Sequence, residues 1–204
     1  MEMRTGEEAV FIMGPTAALF QAERIILNFL CHLSGIATLT RDFVMAVEGT
    51  GVTILDTRKT LPGLRFVEKY AVRIGGGQNH RMDLEEMLMV KDNHSDRAGG
   101  LANAVNKLRD TYSPCPPIEV ECRDLAEVRA ALEVKPERIM LDNMGPSAII
   151  ESLELIDGQI PVEVSGGVNL ENIKPIAALG PDFISIGMLT ASAPTADLSM
   201  QVVG

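Results

Sequence analysis

The chain reads as an α/β protein: a TIM-like, incomplete β/α barrel of parallel strands with preceding helices. Three observations predict this class. Short aliphatic or β-branched runs recur, and each closes on polar residues or glycine. Helical patterns fill the gaps between the later runs. From Ile118 onward the runs begin roughly 20 to 23 residues apart, which leaves room for one parallel crossover and little more. An open doubly wound sheet is the other arrangement these units allow.

Composition sets the frame. A chain of 204 residues with 46% hydrophobic content can bury one sizeable core. Trp is absent and aromatics are few, so that core is aliphatic, with 11 Met as filler. A net charge of −10 argues against a nucleic-acid or anionic-membrane surface, and makes any local basic cluster informative. No apolar run approaches the ~20 residues that span a bilayer. Cys31, Cys115 and Cys122 are odd in number and widely spaced. They suit neither a disulfide framework nor a metal site, so a cytoplasmic, reducing setting is expected, without a signal peptide.

In chain order, residues 9–13 read as a short strand, ended by Gly14-Pro15. Residues 16–33 follow as a helix, with His32 structural, and residues 36–47 as a second helix after the Ser34-Gly35 break. The run 52–55 ends in Asp56-Thr57-Arg58-Lys59, and Pro62-Gly63 separates it from a further helical pattern. Ile74, before Gly75-Gly76-Gly77, marks a possible extra strand. The runs 87–90, 118–121, 138–141, 161–164 and 183–186 complete the strands. Helices are expected over 125–132, 148–156 and 173–179, with Asp124 and Asn169 as N-caps and Glu127 placed for a capping box.

In either architecture ligands bind at the carboxyl ends of the strands. The chemically useful residues cluster there. Arg58 and Lys59 end one strand, His80 and Arg81 follow the glycine run, and Lys91 ends another. An adjacent Arg-Lys pair suits a ligand with several anionic groups: a planar fork beside a mobile point charge. Glu121 and Asp142 occupy matching ends of later strands, with Glu119 on the same face as Glu121. Ser165-Gly166-Gly167 and Gly187 come last, where backbone N–H groups of βα turns commonly hold phosphate. Acidic residues amid phosphates suggest Mg²⁺. Neither a Walker loop nor a nucleophile triad emerges.

These segments resemble one family. Leu33-Ser34-Gly35-Ile36-Ala37-Thr38, Asp56-Thr57-Arg58-Lys59-Thr60, Gly75-Gly76-Gly77-Gln78-Asn79-His80-Arg81 and Lys91-Asp92-Asn93-His94 carry the likeness in the first half. Glu119-Val120-Glu121, Leu141-Asp142-Asn143, Ser165-Gly166-Gly167-Val168 and Leu189-Thr190 carry it in the second. Together, in this order, they resemble quinolinate phosphoribosyltransferase, the carboxylating nicotinate-nucleotide pyrophosphorylase.

The resemblance implies a reaction. Quinolinate and 5-phosphoribosyl 1-pyrophosphate would give nicotinate mononucleotide, pyrophosphate and CO₂ with Mg²⁺, in de novo NAD synthesis. By motif position Arg58, His80 and Arg81 would hold the quinolinate carboxylates, with Lys59 and Lys91 near substrate and pyrophosphate. Glu121 and Asp142 would meet the ribose and Mg²⁺. Ser165, Gly166, Gly167 and Gly187 would cradle the 5-phosphate. Lys59, Lys91, Glu121 and Asp142 are thus the expected catalytic set. The resemblance also implies a homodimer or higher oligomer, with residues 1–14 the remnant of an N-terminal α/β domain and 15–204 the catalytic barrel. That domain would cover the partner's barrel mouth and add an arginine to it. Ala191 departs from the family, where many relatives have histidine. Two alternatives stand beside this one: a relative associated with molybdenum transport, and a truncated, non-catalytic phosphate-binding fragment.

Overall fold

The computed structural model describes residues 3–203. Six short parallel strands form one sheet: β1 (Thr53–Leu55), β2 (Leu88–Val90), β3 (Ile118–Cys122), β4 (Arg138–Asp142), β5 (Val162–Ser165) and β6 (Phe183–Ser185). The order is β1-β6-β5-β4-β3-β2, all neighbours parallel, which curls the sheet into an unclosed barrel. Beyond β1 the chain adds one further rung, a parallel bridge from Leu55 to Gln78. No strand forms at the Ile74 position; the extension is this single bridge, after the glycine run. Ile74 itself ends helix α2 (Arg65–Ile74) and is exposed.

The crossovers are helical. Helices α3 (Asp92–Ala98) and α4 (Leu101–Thr111) join β2 to β3 and had no clear pattern in the sequence. Helices α5 (Leu125–Val134), α6 (Pro146–Ile156), α7 (Ile173–Ala177) and α8 (Met188–Ala191) complete the set. Asp124 caps α5, its carboxylate accepting from the Glu127 amide at 2.9 Å. Glu127 does not close the box on Asp124 but accepts from the Arg123 amide at 2.7 Å. Asn169 accepts from the amides of Glu171 and Asn172, ordering the turn before α7 rather than its first residue.

Two expectations at the start of the chain are corrected. Residues 9–13 form no strand, since no neighbour offers them a ladder, and Val10, Phe11 and Met13 are exposed. The two helices are one, α1 (Thr16–Ala46). Gly35 is not a break but a contact. A Cβ there would lie 1.9 Å from the Pro194 carbonyl oxygen, because the C-terminal segment crosses the helix at that point. The Ala196 amide then donates to the Cys31 carbonyl at 2.9 Å. Gly35→Ala is expected to lift this segment and lower stability by about 1–3 kcal/mol. A denaturant midpoint unchanged from the parent protein would contradict that packing.

The core is aliphatic, as composition requires, and runs from Ile36, Leu39 and Phe43 of α1 across the strands to Ile173 and Leu189. His32 is structural as expected, its Nε2 lying 2.8 Å from the buried Glu68 carboxylate. Among the described residues no helix is long and apolar enough to cross a membrane. The first half of α1 leaves Phe20, Ile25 and Phe29 exposed.

Candidate active site

The alternation of strand residues fixes what faces the barrel axis. Register pairs Asp142 with Ser165, Ser165 with Ser185, and Ser185 with Leu55, forming one layer at the carboxyl ends of four strands. Below it Glu121, Met140, Glu163 and Phe183 form a second layer, and Glu119 pairs with Arg138 beneath. An interior usually filled by branched aliphatics is here polar on most strands.

The phosphate-type residues converge. Thr57, Lys59, Ser165, Gly166, Gly167 and Gly187 line one open cavity of about 290 Å³, and Ala191 and Ser192 border it. Two close approaches explain the glycines. A Cβ on Gly187 would sit 3.0 Å from Lys59 Cδ, so the lysine stem lies across that backbone with its ammonium over the cavity. Gly166 has a φ of +97°, and a Cβ there would meet Asn143 Oδ1 at 2.3 Å. Thr190 Oγ1 donates to the Lys59 carbonyl at 2.7 Å, tying β1's end to α8. A second cavity, of about 320 Å³, lies between Arg41, Val44, Gly76 and the start of β1 at Thr53, and holds none of the predicted site residues.

The second half of the mouth is cationic. Arg81 donates to the Met87 carbonyl at 2.8 Å, and the nearby Arg58 guanidinium together with burial pushes its pKa down, burial being the larger cause. Two guanidiniums this close repel, and no carboxylate pairs with either within ion-pair distance among the described residues. Arg58 Nε is buried without any hydrogen-bond partner. An orphaned buried donor costs about 1–3 kcal/mol, and an anionic ligand would remove that cost.

This wall is held from behind by Asp56, which sequence reasoning had noted only as part of a motif. Asp56 and Lys69 form a fully buried ion pair. Lys69 also donates to the His80 carbonyl at 2.8 Å, Asn79 Nδ2 to Asp56 at 2.6 Å, and the His80 amide to Asp56 at 2.9 Å. Burial pushes the Asp56 carboxyl up and the Lys69 ammonium down, and each is the other's chief restraint. Asp56 thereby binds the turn carrying His80 and Arg81 to the end of β1.

His80 is brought to the site but faces inward. Its side chain is 5% exposed, with Nε2 at 2.9 Å from Glu119 and 3.4 Å from Glu163, while Nδ1 accepts from the Arg81 amide at 2.7 Å. Burial, the largest single cause, lowers its pKa, but Glu119 and Glu163 together outweigh it and push it up to about 9. The Arg81 N–H opposes this, because it needs a lone pair on Nδ1. Neither carboxylate lies in line with the ring N–H, so the backbone bond is the firmer constraint and places the ring proton on Nε2.

Glu121 and Asp142 stand at the ends of the adjacent strands β3 and β4, half-buried at the mouth. Lys91 forms an ion pair with Glu121. Among the described residues Asp142 accepts only from Asn143 Nδ2, at 2.9 Å. Two carboxylates with free oxygen sites beside a phosphate-type cavity fit a hard dication such as Mg²⁺. Free thiols take no part: burial pushes the Cys122 thiol up to about 12, and Cys31 and Cys115 lie elsewhere.

Comparison with known proteins agrees with this geometry. A family model for the C-terminal domain of quinolinate phosphoribosyl transferase matches residues 36–201. A probable nicotinate-nucleotide pyrophosphorylase (carboxylating) of Bacillus subtilis is 41% identical, aligned over 98% of this chain and 69% of its own length. Its counterpart in Synechocystis is 45% identical over 93% of this chain and 65% of its own length. The crystal structure of NadC from Streptococcus pyogenes superposes with a TM-score of 0.88 at 41% identity, covering 93% of this chain and 66% of that one. The chain thus spans about two thirds of the length of these relatives.

Proposed function

The chain belongs to the quinolinate phosphoribosyl transferase family, and from that membership we propose that it transfers the phosphoribosyl group of 5-phosphoribosyl 1-pyrophosphate to quinolinate. The products are nicotinate mononucleotide, pyrophosphate and CO₂. The observation that carries this reading is the unpartnered Arg58 Nε, close to Arg81 and flanked in the chain by Thr57 and Lys59, which line a cavity with Ser165, Gly166, Gly167 and Gly187. One mouth offers a double cation for a dicarboxylate and a turn-lined pocket for a phosphate. The family's names for its relatives set aside the molybdenum-transport alternative.

In this proposal Arg58 and Arg81 hold the quinolinate carboxylates, and His80 supports them from below. Lys59 reaches over the phosphate cavity, where Ser165, Gly166, Gly167 and Gly187 receive the 5-phosphate. Glu121 and Asp142 hold Mg²⁺ and the ribose hydroxyls, and Lys91 neighbours the pyrophosphate. The bound Mg²⁺ would neutralise pyrophosphate charge as it leaves. The residues' own work is positioning and charge stabilisation around an oxocarbenium-like centre, with no covalent protein intermediate. Glycosylation makes the pyridine nitrogen cationic, which stabilises the electron pair left on the ring carbon when the adjacent carboxylate departs as CO₂, and that carbon then takes a proton from water. The guanidiniums keep the other carboxylate fixed during that step.

The assay is incubation with quinolinate, phosphoribosyl pyrophosphate and Mg²⁺. Quinolinate-dependent formation of nicotinate mononucleotide supports the proposal. Binding of both ligands without turnover would instead favour the fragment reading, and absence of any quinolinate-dependent signal would refute both.

The Lys91–Glu121 pair leads to a further expectation. Mg²⁺ entering at Glu121 must displace the ammonium, so Lys91→Ala should tighten Mn²⁺ binding, read by spin-label-free paramagnetic relaxation, several-fold, while slowing turnover. Unchanged Mn²⁺ affinity would place the ion elsewhere. The division into residues 1–14, going with a preceding α/β domain, and 15–204, the barrel, belongs to the same proposal. Its support is the exposed Val10, Phe11 and Met13, next to the apolar Phe20, Ile25 and Phe29 of α1. Self-association into a dimer or larger assembly is expected from that surface, and a monomer in sedimentation at micromolar concentration would count against it.

A further inference from the structure

Beneath the mouth lies a group of buried charges that the proposed reaction does not use. Glu119 and Glu163 are both 0% exposed, on the inward faces of β3 and β5. Both Glu119 oxygens and Glu163 Oε1 lack hydrogen-bond partners, as does His80 Nε2. The His80, Glu119 and Glu163 ligand atoms lie within 4.8 Å of one another, a spacing that could also hold a metal ion. A cation is already there: Arg138 donates to Glu163 at 2.9 Å, stacks on the Phe183 ring at 4.1 Å, and stands 3.9 Å from Glu119. Burial pushes the Glu119 carboxyl up, whereas His80 and Arg138 hold Glu163 down against its own burial. Glu163 and Arg138 therefore form the settled ion pair, and Glu119 is the member with no bond of its own.

A buried carboxylate without a hydrogen bond is costly in a barrel interior that a branched aliphatic would fill. Its nearest charged contact is the ring of His80, 2.9 Å away against 3.9 Å for Arg138, and the other ring nitrogen is bonded to the Arg81 amide. Such local costs persist where they serve a site. We propose that Glu119 is a positioning residue, with Glu163 in support. It sets the ring of His80, and through the bond from the Arg81 amide to Nδ1 it sets the approach of the Arg81 guanidinium to a ligand carboxylate. This rests on the reading of Arg81 as a quinolinate contact only for its ligand arm. The chain of contacts Glu119–His80–Arg81 is independent of that reading.

The test compares Glu119→Met, which keeps the bulk and removes the charge and acceptors, with Glu119→Gln, which keeps an acceptor. Arg138 retains Glu163 in both, so both variants should fold, and thermal melting checks this. In amide spectra the Arg81 resonance should move upfield in Glu119→Met as its bond to Nδ1 loosens, and return in Glu119→Gln. In calorimetry Glu119→Met should weaken quinolinate about 10-fold, as the Arg81 guanidinium loses its fixed approach. Inorganic phosphate should bind within about twofold of the parent, and Glu119→Gln should restore most of the loss. An unmoved Arg81 amide, or equal weakening of both ligands, overturns the proposal. If the parent chain fails to bind quinolinate, the proposed function is refuted, and the Arg81 resonance still decides the role of Glu119.

Discussion

Arg81→Ala is expected to weaken quinolinate binding on the order of 100-fold while leaving phosphate-ester binding nearly intact. The reasoning is geometric. Arg81 is half-buried, its Nη1 is anchored on the Met87 carbonyl at 2.8 Å, and its neighbour of like charge is Arg58. Such a guanidinium presents a fixed fork at little entropic cost, and a charge-assisted bond to a carboxylate contributes about 1.5–3 kcal/mol. Arg58→Ala should behave alike, since its Nε is buried without a partner and its charge lies close enough to act on Arg81. The phosphate cavity draws on Lys59, Ser165, Gly166, Gly167 and Gly187, none of which depends on Arg81. Parallel titrations with quinolinate and with ribose 5-phosphate separate the two. Equal loss of both ligands would mean that Arg81 shapes the mouth rather than one half of it.

The second large effect is on stability. Asp56→Ala should cost about 3–5 kcal/mol, because it leaves the Lys69 ammonium buried at 0% exposure with no counter-charge. The His80 amide and Asn79 would lose their acceptor in the same stroke. The turn from Gln78 to Arg81 is then expected to loosen first, since the remaining rung to β1 is the single bridge from Gln78 to Leu55. Chemical denaturation measures the loss, and proteolysis near residues 78–87 reports the loosening. A midpoint close to that of the parent would show that Lys69 discharges without consequence and that the pair contributes little.

Much of the barrel was legible because each strand is a short apolar run with a fixed recurrence. The same regularity locates the strand ends, and so groups Lys59, Ser165, Gly166, Gly167 and Gly187, which line one cavity. The errors share a cause. Gly35 looked like punctuation, yet its role is to let the Pro194 backbone approach, a contact from the far end of the chain that local patterning does not encode. Residues 9–13 have strand composition but no partner strand, and a strand is a pairing rather than a propensity. Helices α3 and α4 carry many polar residues and a Gly99-Gly100 junction, which hid their period. Glu119 is legible only as a neighbour of Glu121 on one strand face, and Glu163 only as part of a strand. Their meaning depends on three strands closing around His80, and only spatial register brings those strands together. The Asp56 hub was hidden likewise, since its partner Lys69 lies on a helix face whose burial the sequence does not announce.

The central claim is that one mouth takes a dicarboxylate and a phosphate side by side. Calorimetric titration of quinolinate, with and without saturating inorganic phosphate, tests it most directly. A single quinolinate site that persists with phosphate bound, and disappears in Arg81→Ala, is the predicted result. Mutual displacement of quinolinate and phosphate at one site would contradict it.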